Sequence, residues 1–274
     1  MKNAVIIGCG YVGKSVASYW YNAKLQVTVT TTTTAKIYEL QNVAHSVAVL
    51  KGNDFDRLKS VIQGQHTVLL SVGAPNAYSY KETYLETAET LVKVLAETPT
   101  VAQVIYTGSY GIYGDQKGAK VDENSPVKPA NQNGEILQQT EELLLSANSD
   151  KLKVCILRLG GIYGPGRELI KIFNKFAGTT RPGDGKDITN WIHLDDIVAA
   201  IEWVRNHQLD GIYNLVDDDH LTYQELLDKL FVAHGLNPVN WDDSVSSNRS
   251  YNAYVSNDKI KQTGYQLIRP QIIF

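Results

Sequence analysis

The chain has 274 residues, of which 43% are apolar and 20% are charged, and its formal net charge is −3. This composition predicts a globular protein with a sizeable core, built as one large α/β domain or as a domain with a smaller lobe. The slightly acidic balance argues against nucleic acid and acidic membranes as partners, and no apolar stretch approaches the ~20 residues that a membrane helix needs.

A short β-branched strand over residues 5–7 ends directly in a Gly-x-Gly-x-x-Gly motif, and a helix is predicted over 13–21. Gly8 permits the tight turn, Gly10 lets the backbone approach phosphates, and Gly13 lets the helix pack on the strand. The N–H groups and the dipole at the helix start favour negative charge. The motif predicts a dinucleotide pyrophosphate site formed by Gly8, Gly10, Tyr11, Val12 and Gly13. The alternative is a glycine turn that binds nothing.

The second strand, predicted over residues 27–30, ends in a run of threonines and not in a carboxylate. NAD-selective sites usually place Asp or Glu there to bind the ribose hydroxyls. Thr31, Thr32 and Lys36 could instead accept a 2′-phosphate, although the arginine common in NADP sites is missing. We therefore predict NADP as the cofactor, with NAD as the alternative. The threonines are also typical of a plain β-strand end that leads into a helix cap.

Strand and helix patterns alternate through the first two thirds of the chain. Further strands are predicted over 47–50, 67–71, 101–107 and 154–159, and helices over 35–40, 55–62, 80–96 and 135–146. Repeated β-α units predict parallel strands with right-handed crossovers, in a Rossmann-type doubly wound sheet that binds ligands at the carboxyl ends of its strands. By this topology Asp54 and the stretch Ser71, Val72 and Gly73 also belong to the cofactor site.

Beyond about residue 160 the pattern is less regular. Turn-forming residues fill 160–166 and glycines recur in 178–187, before a strand over 212–216 and a helix over 223–234. We predict an NAD(P)-binding Rossmann domain over 1–165 and a smaller mixed α/β substrate lobe over 166–274, interleaved with the Rossmann core.

The two cysteines and the N-terminal apolar run give expectations about the cellular location of the protein. Cys9 and Cys155 both lie in apolar, strand-like contexts, so no disulfide framework is implied. The N-terminal apolar run is soon broken by glycines and lacks a cleavage-like end, which favours a strand over a signal peptide. We expect a cytoplasmic protein in a reducing environment, and we predict no metal site.

Six separate stretches carry a family resemblance, and they occur in the family's order. They are residues 8–13, 104–115, 122–126, 157–166, 191–197 and 213–218. With them the chain resembles the extended short-chain dehydrogenase/reductase family, which includes NAD-dependent epimerases and dehydratases of nucleotide sugars. It is most similar to the atypical subgroup of small NAD(P)-binding proteins. The resemblance implies that Ser109, at a strand end, is a catalytic hydroxyl that binds a substrate carbonyl or hydroxyl.

The family's Tyr-x-x-x-Lys pair is where this sequence departs from the pattern. By that pattern Asn133 stands in the place of the tyrosine and Leu137 in the place of the lysine, while Glu141 matches a downstream glutamate of the family. Neither asparagine nor leucine exchanges a proton at neutral pH. Tyr113 and Lys117 have the literal spacing, but Gly-Asp between them predicts a loop, where the two side chains need not meet.

Other side chains could substitute as the acid. Tyr110, Tyr113 and Tyr163 are candidates, and each also fits a packed or pocket-lining aromatic residue. Of the three we take Tyr113 as the candidate beside Ser109. His193 could titrate near neutral pH, but its place in a His-x-Asp-Asp segment favours a structural link between sheet and lobe.

Three classes of function remain open from the sequence. The first is an NAD(P)-dependent oxidoreductase or epimerase-like enzyme that acts on a small substrate such as a nucleotide sugar. The second is a catalytically inactive dinucleotide sensor or regulatory protein, which the missing Tyr-Lys pair favours. The third and weaker class is a scaffold, since the family often forms homodimers through two long helices, here the predicted helices over 80–96 and 135–146.

Overall fold

The computed structural model describes residues 3–274 of the chain. Its α-helices and β-strands alternate in the first half as β1 (Asn3–Ile7), α1 (Tyr11–Asn22), β2 (Gln26–Thr31), α2 (Ile37–Leu40), β3 (Ser46–Val49), α3 (Phe55–Ile62), β4 (Thr67–Leu70), α4 (Thr87–Glu97), β5 (Gln103–Ser109), β6 (Asp115–Val121) and α5 (Gln132–Leu145). The second half holds β7 (Lys153–Leu159), β8 (Gly161–Tyr163), α6 (Leu169–Phe173), β9 (Thr180–Pro182), β10 (Trp191–His193), α7 (Leu194–His207), β11 (Gly211–Leu215), α8 (Tyr223–Ala233), β12 (Asn240–Asp242), β13 (Asn252–Val255) and α9 (Asp258–Gln262).

Seven of these strands form the central sheet, in the order β11-β7-β5-β4-β1-β2-β3. Strand β1 pairs in parallel with both β2 and β4, and the pairs β2–β3 and β4–β5 are also parallel. The order turns back at β1, so the carboxyl ends of β1, β2 and β4 surround one crevice, as in other doubly wound sheets. The predicted α/β, Rossmann-type fold class is confirmed.

The described chain divides into two units that interleave along the sequence. Of the described residues, unit 1 comprises 3–109, Asn131–Arg158 and Val198–Tyr213, and unit 2 comprises Tyr110–Ala130, Leu159–Ile197 and Asn214–Phe274. Each unit therefore takes three separate segments of the chain. The predicted boundary at residue 165, with a cofactor-binding domain before it and a substrate lobe after it, stays a prediction. Residues 1 and 2 of the predicted 1–165 domain lie outside the described residues.

Unit 1 is held together by strands that are buried along most of their length and largely apolar. All four residues of β4 are buried, as are Ala4 to Ile7 of β1. Strands covered on both faces have such continuous apolar runs, whereas strands with one wet face alternate. The helices α3 and α4 close one face with Leu58, Ile62, Leu91 and Val94, all of which are fully buried.

Unit 2 contains three short strand pairs and a separate apolar core. The pairs β8–β10, β9–β12 and β6–β13 are each two-stranded. Helix α8 supplies much of the core, and it begins with a capping box in which Thr222 and Glu225 satisfy each other's backbone N–H groups.

The carboxylate of Asp196 fixes the last stretch of the chain in unit 2. Its oxygens accept the backbone N–H groups of Ile268, at 2.6 Å, and Arg269, at 3.0 Å, together with the hydroxyl of Tyr265. These bonds tie residues 265–269 to the start of α7.

Several elements differ from the sequence predictions, among them the strand β5, which begins at Gln103 and not at residue 101, and the unpredicted helix α7. The helix predicted over 80–96 is present, but its first part, Lys81–Glu86, is π-helical and α4 begins only at Thr87. The turn-rich stretch 160–166 contains the strand β8. Helix α5 begins three residues early, at Gln132, because the side chain of Asn131 accepts the N–H of Gly134 and caps it. Among residues 3–274, no helix has the length and apolarity to cross a membrane.

Candidate functional site

The turn between β1 and α1 depends on its first and last glycines. Gly8 has a φ of +88°, and a Cβ on it would lie 2.7 Å from the carbonyl oxygen of Ser71. A Cβ on Gly13 would lie 2.5 Å from the oxygen of Gly8. By contrast, a Cβ on Gly10, the residue that precedes α1, would meet nothing within 4 Å. The motif thus brings a helix start to the end of β1 with open space in front of it.

A cavity of about 400 Å³ in unit 1 opens from this turn. Its walls come from the carboxyl ends of β1, β2, β3 and β4 and from the π-helical turn. The predicted cofactor residues in its lining are Gly8, Gly10, Thr31, Thr32, Lys36, Ser71, Val72 and Gly73. Of the other predicted residues, Tyr11, Val12 and Gly13 form the first turn of α1, and Asp54 caps α3.

The threonines at the end of β2 have different roles, since some shape the turn and others face the cavity. The hydroxyl oxygen of Thr30 accepts the N–H of Gly8 at 3.1 Å, and that of Thr31 accepts the N–H of Thr33 at 3.2 Å. Both side chains are buried and shape the turn. Thr32 and Lys36 are exposed and line the cavity, so they present a hydroxyl and an ammonium group to it.

The charged side chains of the cavity lining leave one positive charge in excess. Its charged side chains are Lys36, Lys51 and Glu82, of which the last two form an ion pair at 2.6 Å. Burial raises the pKa of the Cys9 thiol to about 12, and the ammonium groups of Lys14 and Lys36 oppose that shift. The thiol therefore stays protonated at neutral pH, and Cys9 lines the cavity as a small neutral side chain.

The far wall of the cavity was not foreseen from the sequence. The loop after β3 is joined to the π-helical turn by two bridges, from Lys51 to Glu82 and from the Asn53 Nδ2 to the Glu86 Oε2, at 3.1 Å. Between them Gly52 lies so close to Thr87 that a Cβ would stand 2.3 Å from its hydroxyl oxygen. These contacts join residues more than 30 positions apart, as Asn53 and Glu86 are 33 apart, and no local pattern signals them.

Ser109 is the last residue of β5, at the strand end where the sequence predicted it. Below it in the strand, Gly108 faces the buried ion pair of Glu141 and Arg158, whose closest atoms are 2.8 Å apart. Burial raises the pKa of Glu141, and the guanidinium of Arg158 opposes the shift. A Cβ on Gly108 would lie 2.8 Å from the Glu141 Oε1, so the pair packs directly against the strand that carries Ser109.

The tyrosine candidates lie in unit 2. The hydroxyl of Tyr113 donates to the Asn214 Oδ1 at 2.9 Å, and the side chain is fully buried. Lys117 lies in β6 with a φ of +53°, so the Tyr113-Lys117 spacing does not fall on a helix. Tyr110 is 7% exposed, and burial raises its pKa.

Tyr163 and His193 belong to a second cavity, of about 380 Å³, in unit 2. The Tyr163 hydroxyl oxygen accepts the N–H of Ile273 at 3.3 Å, and burial raises its pKa. The His193 Nδ1 accepts the N–H of Asp195 at 3.1 Å, in the first turn of α7. Within residues 3–274, no group of three metal-ligating side chains is assembled.

Comparison with known proteins places these features in a wider group. The model of the NAD dependent epimerase/dehydratase family matches residues 4–215. Protein YeeZ of Escherichia coli (strain K12) is 28% identical over 255 residues, which cover 91% of this chain and 90% of YeeZ.

Solved structures share the fold at low sequence identity. A functionally unknown conserved protein from Silicibacter pomeroyi has a TM-score of 0.81 at 21% identity, with 99% of this chain and 95% of that chain covered. The dTDP-glucose 4,6-dehydratase of Bacillus anthracis, in complex with NAD, has a TM-score of 0.81 at 17% identity, with 98% and 92% covered.

Proposed function

Because the chain belongs to the NAD dependent epimerase/dehydratase family, we propose that it binds NADP(H) in the cavity of unit 1 and acts as an oxidoreductase or epimerase-like enzyme. The observation that carries the proposal is the glycine turn, which leaves open space at the start of α1 inside a cavity lined by Lys36. Backbone N–H groups and a helix dipole at that point suit a pyrophosphate. The dinucleotide, when bound, supplies hydride transfer.

The side chains at the end of β2 support the phosphorylated form of the cofactor. Since Thr31 is engaged with Thr33, we assign the 2′-phosphate to the exposed Thr32 and Lys36. A carboxylate at this point would repel such a phosphate, and the stretch from β2 to Lys36 contains none. Asp54, Ser71, Val72 and Gly73 complete the proposed cofactor site.

A nucleotide sugar is the substrate class that we propose. Support comes from the fold shared with the dTDP-glucose 4,6-dehydratase and from the family to which the chain belongs. Ser109 would polarise the substrate by hydrogen bonding to its carbonyl or hydroxyl group. Asn133 and Leu137 cannot move a proton, so the proton comes from Tyr113 or from water.

Cofactor choice can be tested by titration with NADPH and NADH, followed by fluorescence energy transfer. We expect tighter binding of NADPH, and Lys36→Gln should weaken NADPH about 10-fold or more, the effect of losing a charged hydrogen bond, while NADH is unaffected. Lys93→Gln, an exposed charge on α4, is the matched control and should change neither affinity. Equal loss of NADPH and NADH affinity in the Lys36 variant would contradict the 2′-phosphate assignment.

The second candidate function is a dinucleotide sensor without turnover, which Asn133 and Leu137 at the expected Tyr-Lys positions favour. Ser109→Ala separates the two functions when a panel of nucleotide sugars is tested both for NADPH oxidation and for conversion to an epimer or a dehydrated product, because an epimerase consumes no cofactor. In an enzyme the variant should lose turnover about 100-fold or more and keep its NADPH affinity. Ser60→Ala, on the exposed side of α3, is the control. If the wild-type protein binds NADPH but turns over no substrate, the sensor is the better description.

A further inference from the structure

The second cavity, of about 380 Å³, is lined only by residues of unit 2. Its walls come from the ends of β8 and β10, from α6, from the end of α8 and from residues 273 and 274. The proposed cofactor residues, Ser109 and Tyr113, all of which the structure describes, lie outside this lining. A ligand in this cavity would therefore be distinct from the dinucleotide of unit 1.

The walls of the second cavity are mostly apolar. Leu169 and Leu230 belong to the buried core of unit 2, and Ile170 and Phe274 pack against that core with partly buried side chains. Small-molecule sites in proteins have volumes of about 300–1,000 Å³, with apolar walls and a few polar groups that fix the orientation of the ligand. Both the size and the walls of the cavity suit a small, largely apolar molecule.

His193 brings a hydrogen-bond donor to this cavity. Its side chain is 8% exposed, and its Nδ1 accepts the N–H of Asp195 at 3.1 Å. The hydrogen of the neutral ring is therefore on the Nε2, and a protonated ring carries one there as well. No group of residues 3–274 accepts a hydrogen bond from the Nε2. Because a nearly buried N–H without an acceptor costs free energy, this donor indicates a partner that the chain itself does not supply.

The charges around the cavity favour a neutral ligand. No lysine or arginine of the described chain lines the cavity, so an anion would find no countercharge there. The carboxylate in the lining is Glu168, whose pKa is lowered to about 2 by its hydrogen bonds to Lys171 and to the N–H of Gly166. A second carboxylate, that of Asp195, lies 3.4 Å from the His193 Nδ1. These negative charges disfavour an anion, and the N–H of His193 disfavours a cation.

We propose that the cavity of unit 2 binds a small, neutral, largely apolar molecule through a carbonyl oxygen that accepts the Nε2 hydrogen of His193. Ketones, esters and amides carry such an acceptor, and the apolar walls bury the rest of the molecule. His193 then has two roles, since its Nδ1 binds the first turn of α7 and its Nε2 orients the ligand.

The test uses 6-propionyl-2-dimethylaminonaphthalene, a neutral apolar ketone whose fluorescence shifts to shorter wavelengths when it leaves water. Its dissociation constant is measured for the wild-type protein, His193→Asn and His193→Gln. The amide of glutamine can place an N–H where the Nε2 was, whereas that of asparagine reaches only as far as the Nδ1. We therefore expect His193→Asn to weaken binding about 10-fold, the effect of one lost hydrogen bond, and His193→Gln to stay within about 3-fold of wild type.

Two controls separate the hydrogen bond from apolar packing. The same compound with a methylene in place of its carbonyl should bind wild type and His193→Asn equally. Ile170→Trp fills the cavity and should abolish saturable binding of the ketone. Val232→Trp is its matched control, because Val232 is 82% exposed on α8 and lies outside the lining, and it should leave the affinity unchanged. Thermal unfolding of each variant checks that it is folded at the temperature of the titration.

Saturating NADP⁺ should leave the affinity for the ketone unchanged, because the two cavities share no lining residue. The inference is overturned if NADP⁺ displaces the ketone, if wild type and His193→Asn bind it equally, or if saturable binding persists in Ile170→Trp. Absence of saturable binding to the wild-type protein overturns it as well. Failure of the proposed function is a different result, since it appears as a lack of NADPH binding and leaves these expectations in place.

Discussion

Burial dominates the ionisation of Asp217 in unit 2. Its side chain is 0% exposed, and its Oδ1 accepts the N–H of Asp219 at 3.2 Å. Its Oδ2 has no hydrogen-bond partner within the described part of the chain. Burial, with the nearby charge of Asp219, raises its pKa to about 9. The group is therefore protonated at neutral pH, whereas both oxygens of Asp196 have backbone N–H partners.

The raised pKa predicts a loss of stability as the pH rises. In the unfolded chain the group ionises near pH 4, while in the folded chain it stays protonated up to about pH 9. The unfolded state thus binds fewer protons between these values, so the free energy of unfolding falls with increasing pH. Asp217→Asn should remove this slope and gain on the order of 1 kcal/mol or more relative to wild type between pH 5 and pH 8.

Urea unfolding at several pH values measures this difference. Asp150→Asn changes an exposed carboxyl on the loop before β7 and serves as the control for net charge. If the free energies of unfolding of Asp217→Asn and wild type differ by the same amount at every pH, Asp217 is ionised in the folded protein.

At the scale of elements, different glycines of the β1–α1 turn serve helix packing and leave space for a ligand. A Cβ on Gly13 meets the backbone oxygen of Gly8 at 2.5 Å and the Ile6 Cγ2 at 3.2 Å, and neither can move without shifting the strand. A Cβ on Gly10 would have no such neighbours. The same motif therefore contains two glycines required by the fold, Gly8 and Gly13, and a third, Gly10, that leaves room for a ligand.

Gly13→Ala should destabilise the protein by about 2 kcal/mol, the range of overpacked sites, and weaken NADPH binding because α1 is displaced. Gly10→Ala should destabilise the protein less, by about 1 kcal/mol or below, since alanine is a poorer helix N-cap than glycine but meets no steric clash there, and it should still weaken NADPH binding. Thermal unfolding and NADPH titration of both variants check the contrast. Equal destabilisation by the two substitutions would be inconsistent with this geometry.

The elements that the sequence predicted are those with a strong local signal. Continuous apolar runs marked β1 and β4, and helix α3 was predicted over the residues that it occupies. The π-helical turn at Lys81–Glu86 was not predicted. A π-helix has about one more residue per turn than an α-helix, so over six positions the two helices show nearly the same spacing of apolar residues. The three-residue strands of unit 2 are too short to show any period.

At the scale of the whole molecule, the sheet and the glycine turn could be predicted, but the far wall of the cavity could not. Eight of the predicted cofactor residues line the cavity, because motif position fixes them relative to the strand ends. Asn53 and Glu86 are joined across 33 residues, and only the folded chain brings them together. The homodimer predicted from the two helices stays a prediction.

The interleaving of the two units has a consequence for synthesis on the ribosome. Unit 1 takes its last segment from Val198–Tyr213, and this segment includes the start of the edge strand β11. A nascent chain that has emerged only as far as Ile197 contains most of unit 1 but lacks its final segment. It also already contains two of the three segments of unit 2. Neither unit exists as a contiguous stretch that could mature first, so we expect both units to acquire their native form only after residues 198–274 have left the ribosome.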